Sequence, residues 1–293
     1  MQYDKIAGAP ISWGVCEVSG WGHQMGPERV LREMAALGLR ATEFGPVGFL
    51  PVEADARAKV LSELHMHATG GFFPVLLHDA SHDPIPMVQK ELESYVATGA
   101  TTLVLAADSG KVGYDEKRDE LTEAQWNTVF KNLNAISSLA SSVGVTAVLH
   151  PHVGTIIETH DDIVRVVNGS DVAFCLDTGH MVIGGADPVW FSKAHANRVA
   201  HSHLKDVDLV WAKKVQEGEI TYYDAVVQGM YRPLGQGDVD IRTIVRNLLQ
   251  AGYRGWFVLE QDNVIHSEPE EGSGPFADAK ASVEFLRAVI EEL

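Results

Sequence analysis

The sequence has little cysteine and no long apolar run. Cys16 and Cys175 are the only cysteines among 293 residues, too few for the disulfide framework of a small secreted domain. The N-terminal sequence MQYDKIAGAPISWG has no basic stretch followed by a long apolar core, as a signal peptide would. No run of about 18 apolar residues is present, so no membrane-spanning segment is predicted. We therefore expect a cytoplasmic protein without a membrane partner.

Basic residues are also scarce. The chain has 23 Lys and Arg against 40 Asp and Glu, a formal charge of −17. A surface of that sign repels phosphate backbones and anionic lipid, so nucleic acid is not expected as a partner. Neither phosphate-binding glycine pattern, GxGxxG or GxxxxGK[ST], follows the first apolar segment. Their absence excludes the usual nucleotide-binding form of an open doubly wound sheet. At 45% hydrophobic residues the chain has enough apolar surface for a folded core, which excludes a disordered chain.

Eight short apolar segments alternate with longer segments of helical periodicity. The predicted strands begin near Ile6, Arg40, Gly70, Thr102, Val145, Val172, Val199 and Trp256. The predicted helices span 28–37, 54–64, 85–97, 122–142, 161–167, 188–194, 241–249 and 279–293. Thr122 with Gln125 has capping-box spacing, and glycine follows four of the helices, at Gly38, Gly99, Gly144 and Gly252. The pattern predicts an α/β fold, a single (β/α)8 TIM barrel over residues 1–293.

One predicted unit is longer than the others. About 50 residues separate the seventh strand from the eighth, and they include a charged helical segment within 206–240. Three interpretations remain open for this insert: a lid, an oligomer contact or a solvated helix.

Each of the last four predicted strands ends near a titratable residue. A TIM barrel has its active site at the C-terminal strand ends, and four consecutive strands end near His150, Asp177, His203 and Glu260. Asp177 alone is explained equally well as a helix N-cap. Four titratable groups converging without a cation are costly, so we predict one divalent metal ion. The mixed nitrogen and oxygen ligands suit Mn²⁺ or Co²⁺ first, with Mg²⁺, Zn²⁺ and Fe²⁺ as alternatives.

Several segments of the sequence resemble a known superfamily. DTGH at 177–180, HSHLKD at 201–206, PLGQGDVD at 233–240 and LEQD at 259–262 are similar to the xylose-isomerase-like barrels of sugar isomerases, epimerases and dehydratases. GAPISWG, TEFGPVGFLP and LHPHVGTIIET look more specifically like the inosose dehydratase branch. The resemblance covers nearly the whole chain.

The resemblance implies a metal bound by Glu, Asp, His and Glu on the last four strands. Asp177, His203 and Glu260 match the last three positions. The first position departs from the pattern, and His150 is the first candidate for it, His152 the second and Glu158 the third. Epimerases of this superfamily use both glutamates as a two-sided acid and base pair, so the loss of one disfavours simple epimerisation.

The implied reaction is dehydration of a keto-inositol (2-keto-myo-inositol, inosose) in myo-inositol catabolism. We assign Glu260 or His152 as the base and His180 or Lys205 as the group that protonates the leaving oxygen or stabilises the oxyanion. The predicted substrate contacts are Trp13, Glu43, His78 and Glu158. Glu158 is expected to orient a histidine.

Other functions are also compatible with most of these site residues. A C-glycoside deglycosidase would use the same β-elimination on a 3-keto-C-glycoside, usually with a small β partner subunit. A ketose or inosose isomerase or epimerase would return the proton and expel nothing. A sugar-binding sensor would bind without turnover. Symmetry and family habit lead us to expect a homo-oligomer.

Overall fold

Eight parallel strands close into a barrel in the computed structural model, which describes residues 3–293. The barrel strands are β1 (Ile6–Gly8), β2 (Ala41–Glu43), β3 (His67–Val75), β4 (Thr102–Ala107), β5 (Thr146–Leu149), β6 (Ala173–Asp177), β7 (Val199–Leu204) and β10 (Phe257–Leu259). Two short strands outside the barrel, β8 (Asp206–Val207) and β9 (Tyr231–Arg232), lie between β7 and β10 in the chain. Their order around the barrel is β1-β10-β7-β6-β5-β4-β3-β2. All eight predicted strands and the predicted fold class are confirmed.

The helices surround the barrel. They are α1 (Pro27–Ala36), α2 (Ala54–Glu63), α3 (Ile85–Thr98), α4 (Glu123–Ser142), α5 (His160–Gly169), α6 (Thr178–Ile183), α7 (Pro188–Ala194), α8 (Leu209–Gln216), α9 (Tyr222–Val227), α10 (Ile241–Gln250) and α11 (Pro275–Glu291). Two 3₁₀ turns lie at Pro10–Trp13 and Ala196–Arg198. The capping box of Thr122 and Gln125 forms as predicted, and the four helix-terminating glycines have positive φ. α6 was not predicted, because six residues are too few to show a helical period.

The core lies between the strands and the helices. All six residues of β4 are buried, as expected for a parallel strand covered on both faces. On α4 the buried residues recur every three or four positions, so one face of this long helix packs on the barrel: Trp126, Val129, Leu133, Ile136 and Ala140. Both kinds of element therefore follow directly from the apolar pattern.

Gly70 permits an irregular pairing of β3 with its neighbours. The register of β2 against β3 shifts between Thr42 and Glu43, and Glu43 pairs with Gly70. Gly70 has φ +153°, and a Cβ there would lie 1.7 Å from the carbonyl oxygen of Thr102 on β4. Only glycine allows this approach, and the shift sets the position of Glu43 in the barrel interior.

The insert packs on the C-terminal mouth of the barrel. Its strands β8 (Asp206–Val207) and β9 (Tyr231–Arg232) pair antiparallel on either side of α8 and α9. The Asp206 carboxylate accepts hydrogen bonds from the backbone amides of Gly235, Gly237 and Val239, which fixes the returning chain. Tyr222 and Tyr231 are buried, so the interpretation of the insert as a merely solvated helix is wrong.

Within residues 3–293, we find no helix with both the length and the apolar character needed to cross a membrane.

Candidate active site

Three of the predicted metal ligands converge at the barrel mouth. Asp177 ends β6, His203 lies on β7, and Glu260 follows β10 directly. His203 Nδ1 lies 2.6 Å from Glu260 Oε2 and 3.5 Å from Asp177 Oδ2. One ligand-type atom from each residue lies within 4.8 Å of the others. Asp177 also caps α6, because its Oδ1 accepts from the His180 amide at 2.8 Å, which leaves Oδ2 facing His150 and His203.

Of the three candidates for the fourth ligand, only His150 adjoins these residues. Its Nε2 lies 3.2 Å from Asp177 Oδ2. Among residues 3–293, neither His152 nor Glu158 belongs to a group of clustered ligand atoms. Glu158 instead accepts from the amide of Gly154 at 3.2 Å. The geometry therefore favours His150 over the other two.

The residues present fit a divalent cation. His203 Nδ1 and Glu260 Oε2 are buried and 2.6 Å apart, yet neither has a hydrogen-bond partner. Leaving such atoms unpaired costs about 1–3 kcal/mol each. A cation shared by these two atoms and Asp177 would satisfy both, and a donor set of imidazole and carboxylate is typical of Zn²⁺, Mn²⁺ and related ions.

Glu43 orients His203 from across the barrel. One oxygen, Oε1, lies 3.0 Å from His203 Nε2 and 2.9 Å from His201 Nε2. Burial opposes ionisation of Glu43, but the two histidines outweigh it and hold its pKa well below the usual value. An ionised carboxylate at this place keeps the proton of His203 on Nε2 and leaves Nδ1 free toward the other ligands.

Lys205 is a buried ammonium among carboxylates. Its Nζ donates to Asp262 Oδ1 at 2.5 Å, lies 3.0 Å from His180 Nε2, and is 3.5 Å from Glu260 Oε1. Burial disfavours the charged form, but the carboxylates, chiefly Asp177 and Asp262, raise the pKa of Lys205 well above its usual value. Lys205 therefore carries its proton at neutral pH and is available as an acid.

His152 is a neutral imidazole on the same wall. Its Nδ1 lies 2.7 Å from the carbonyl oxygen of Val153, which places the proton there and leaves Nε2 as an acceptor. Burial, with His150 and Lys205 nearby, holds the pKa of His152 well below its usual value. The ring lies 3.7 Å from the His180 ring, centroid to centroid.

A cavity of about 890 Å³ opens over these groups. Its polar lining includes the three kinds of group that ketone chemistry needs, namely ligands, bases and an acid: Glu43, His150, His152, Lys205, Glu260 and Asp262. A concave site with convergent polar groups and shifted pKa values is typical of an active site.

Most of the chain matches a known protein family. The family model described as xylose isomerase-like TIM barrel matches residues 31–289. The chain belongs to this family. Curated relatives of this xylose isomerase-like barrel include the rhizopine catabolism protein MocC of Rhizobium meliloti, 32% identical over 88% of this chain and 81% of that protein. They also include the inosose dehydratase of Geobacillus kaustophilus, 29% identical over 99% of this chain and 96% of that protein.

Solved structures share the fold of this xylose isomerase-like barrel at low identity. An L-ribulose 3-epimerase superposes with a TM-score of 0.70 at 18% identity, covering 98% of this chain and 94% of that one. The IolI protein with a bound zinc atom superposes with a TM-score of 0.69 at 15% identity, covering 98% of each chain. With the curated relatives, these matches show an enzyme of the dehydratase, isomerase and epimerase group.

Three predicted substrate or orienting residues of the xylose isomerase-like barrel do not line the cavity. Trp13 is buried in the core, where its Nε1 donates to Glu33 Oε2 at 2.7 Å. His78 lies three residues beyond the end of β3, away from the cavity lining. Glu158 Oε2 accepts from the Gly154 amide and lies 3.9 Å from Arg118 Nε, and within residues 3–293 its carboxylate makes no hydrogen bond or ion pair with a histidine. We therefore assign none of them to substrate binding or to histidine orientation.

His180 also lies outside the cavity lining. Its Nε2 lies 3.0 Å from Lys205 Nζ, and its ring packs behind His152. These contacts are those of a residue that positions Lys205, and they do not support the prediction that His180 itself protonates the leaving group.

Sequence reasoning missed the support behind Lys205. Asp262 accepts from Lys205 through Oδ1 and from the Tyr222 hydroxyl through Oδ2, the latter at 2.5 Å. The hydroxyls of Tyr222 and Tyr231 lie 2.9 Å apart. The signal was present as Asp262 in LEQD and as tyrosines in an otherwise charged insert, but no motif shows which way the insert folds.

Proposed function

We propose that this protein is a divalent-metal-dependent dehydratase that removes water from a keto-inositol such as 2-keto-myo-inositol, in myo-inositol catabolism. The observation that carries the proposal is a carboxylate beside an ammonium in one cavity: Glu260 Oε1 lies 3.5 Å from Lys205 Nζ. Such a pair supplies the base and the acid of a β-elimination, and the relatives named inosose dehydratases support the choice of substrate.

Asp177, His203 and Glu260, with His150, would hold the cation. When bound, it supplies Lewis acidity toward the ketone and the neighbouring hydroxyl oxygen. The two oxygens of Glu260 have different neighbours, since Oε2 faces His203 and Oε1 faces Lys205. Glu260 can therefore hold a cation with one oxygen and accept a proton on the other.

The first step is removal of the proton on the carbon next to the ketone. Burial opposes ionisation of Glu260, but His203 and Lys205 outweigh it and lower its pKa. Glu260 is thus ionised at neutral pH and can accept this proton. His152 Nε2 is the second candidate base, and isotope exchange in variants of each residue distinguishes the two.

The second step is loss of the hydroxyl group on the following carbon. The electron pair of the broken C–H bond forms the enolate, then a carbon–carbon double bond as the C–O bond breaks. Lys205 gives its proton to the departing oxygen, which leaves as water. Asp262 and His180 hold the Lys205 ammonium in place for this transfer.

The test is incubation of the Mn²⁺- or Co²⁺-loaded protein with 2-keto-myo-inositol. We expect new ultraviolet absorbance from the conjugated product and a mass lower by one water. A product of unchanged mass without new absorbance would replace this proposal with isomerisation or epimerisation. Release of an aglycone from a 3-keto-C-glycoside, with no reaction of the keto-inositol, would replace it with C-glycoside cleavage.

A further inference from the structure

Glu17 is a carboxylate of the cavity lining that the mechanism above does not use. It lies in the β1–α1 connection, its side chain is exposed, and Tyr114 lines the cavity beside it. Within residues 3–293, its Oε1 accepts from the Tyr114 hydroxyl, and the only hydrogen-bond partner of Oε2 is the Cys16 thiol, with Sγ at 3.7 Å. A thiol is a weak donor, so Oε2 remains available to a stronger one.

Tyr114 is held in place by its neighbours. It lies in the β4–α4 connection, and its ring packs edge-on against Tyr222 and Trp21, with centroids 5.7 and 6.0 Å away. The next residue, Asp115, accepts from the backbone amide of Tyr222 at 2.5 Å, which ties this connection to the insert. The Tyr114 hydroxyl therefore has a defined position, and it fixes the Glu17 carboxylate that accepts from it.

The Tyr114 ring also connects Glu17 with the catalytic groups. Its centroid lies 4.8 Å from that of His152. Burial, together with the charges of Glu17 and Asp262, raises the pKa of Tyr114 well above its usual value, so the hydroxyl keeps its proton and donates to Glu17. One six-membered ring thus lies between Glu17 and His152, and a six-membered substrate ring alongside it has the size to reach both.

A polyol ring brings hydroxyl groups that need partners. The acid, the base and the cation act on the ketone and the two carbons that follow it, so the hydroxyls on the far side of the ring are left to other residues. Hydroxyls removed from water without a new partner lose binding free energy. Glu91 and Asp262, two other carboxylates of the lining, are already paired, with Arg57 and with Lys205.

We propose that Glu17 is a specificity-determining residue, whose Oε2 accepts a hydrogen bond from a substrate hydroxyl on the side of the ring away from the ketone. The Tyr114 hydroxyl is the positioning group that holds the carboxylate for this contact. This proposal rests on the dehydratase function above, and it adds the residue that selects a fully hydroxylated ring over a less substituted cyclic ketone.

The test is a double-mutant cycle between protein and ligand. Analogues of 2-keto-myo-inositol that each lack one hydroxyl on the far side of the ring are compared with the parent ketone on the Mn²⁺-loaded protein. Calorimetry gives Kd and turnover gives kcat/KM. In the unmodified protein we expect one analogue to lose about 10–100-fold in both, since hydrogen bonds to a charged group are the stronger kind. In Glu17→Ala that analogue and the parent should differ by less than about threefold, because the partner of the hydroxyl is gone.

Three variants serve as comparisons. Glu28→Ala removes an exposed carboxylate from the first turn of α1, outside the cavity lining, and should retain the full discrimination. Tyr114→Phe keeps the ring beside His152 but loses the hydroxyl that holds Glu17, so the discrimination should fall several-fold. Tyr223→Phe, whose ring also packs on Trp21 but lies outside the cavity lining, should retain it.

The two proposals fail differently. If every analogue matches the parent in the unmodified protein, or if Glu17→Ala retains the discrimination, the role of Glu17 is overturned, while dehydration of the parent still upholds the function. Equal discrimination in Tyr114→Phe and Tyr223→Phe overturns the positioning role of Tyr114. Discrimination in Kd that depends on Glu17, without water loss from any of the compounds, upholds the Glu17 contact and overturns the dehydratase function.

Discussion

A single carboxylate oxygen serves two histidines in the barrel interior. Glu43 Oε1 contacts His201 and His203, and His203 is in turn a candidate metal ligand. Carboxylates that orient a ligating histidine raise its basicity and fix its tautomer, and their loss costs about 10–100-fold in metal affinity. We expect Glu43→Gln to weaken Mn²⁺ binding by that factor, measured by metal titration. His78→Asn, away from the cavity lining, is the control, and unchanged affinity in Glu43→Gln would refute the orienting role.

Two candidate bases are separated by isotope exchange. We expect Glu260→Gln to slow solvent-deuterium exchange at the carbon next to the ketone by about 100-fold or more, because a positioned base contributes about that much. His152→Asn, tested in parallel at saturating Mn²⁺, should leave exchange near the level of the unmodified protein. The reverse pattern would assign the base to His152.

The Tyr222 hydroxyl is expected to matter more than that of Tyr231. The Tyr222 hydroxyl donates to Asp262, which holds Lys205, whereas the Tyr231 hydroxyl contacts the Tyr222 hydroxyl. The Tyr231 ring centroid lies 5.3 Å from Lys205 Nζ, and phenylalanine would keep that contact. Loss of one such hydrogen bond costs about 1 kcal/mol, so Tyr222→Phe should slow water loss several-fold. Because the base is untouched, deuterium exchange should not change. Tyr231→Phe serves as the matched control, and equal effects of the two variants on water loss would argue for mere packing.

Many site residues could be located from the sequence, because a TIM barrel has its active site at the C-terminal ends of its strands. The residues that were wrongly placed in the site share one cause. The strand ends predicted Asp177, His203 and Glu260, because parallel strands of a barrel end at one mouth. A strand end gives a position along the axis but not the direction of the side chain. Trp13 therefore sits at the mouth of β1 while its indole points into the core toward Glu33.

Elements were predictable wherever the apolar pattern was long enough to be distinctive. The barrel strands follow from short continuous apolar runs and the long helices from apolar patterns of period 3.6, whereas α6 and the β8–β9 pair show neither signal. The register shift at Gly70 was not predictable, because it depends on how closely β3 approaches β4. The same closeness makes Gly70 a sharp test of the barrel.

Gly70→Ala should destabilise the fold strongly. A Cβ would lie 1.7 Å from the Thr102 carbonyl oxygen, and φ +153° is strained for any other residue, so we expect a loss of about 3 kcal/mol or more in the free energy of unfolding. Gly144→Ala is the control: its φ is +79°, but no atom lies within 4 Å of the added carbon, and the cost should be about 1–2 kcal/mol. Urea denaturation measures both, and equal losses would show that β3 and β4 can separate freely.

At the scale of the whole molecule, the site concentrates negative charge in an already acidic chain. The formal charge is −17, and the carboxylates of Asp177, Glu260 and Asp262 all lie within 3.6 Å of one ammonium, Lys205. A divalent cation held by His150, Asp177, His203 and Glu260 would join residues on or directly after four barrel strands, so metal binding should stabilise the closed barrel as well as enable catalysis.

Metal removal is therefore expected to change stability and activity together. Free Mn²⁺ at 100 times its Kd would add about 2.7 kcal/mol to the free energy of unfolding, which corresponds to a rise in Tm of several degrees. Dialysis against chelator should reverse that rise and abolish dehydration, and added Mn²⁺ or Co²⁺ should restore both. In His203→Gln, which removes a central ligand, Mn²⁺ should no longer raise Tm, whereas Val96→Asn should respond like the unmodified protein. Full dehydratase activity in the chelated protein, or an equal rise in Tm for His203→Gln, would contradict a metal centre at these residues.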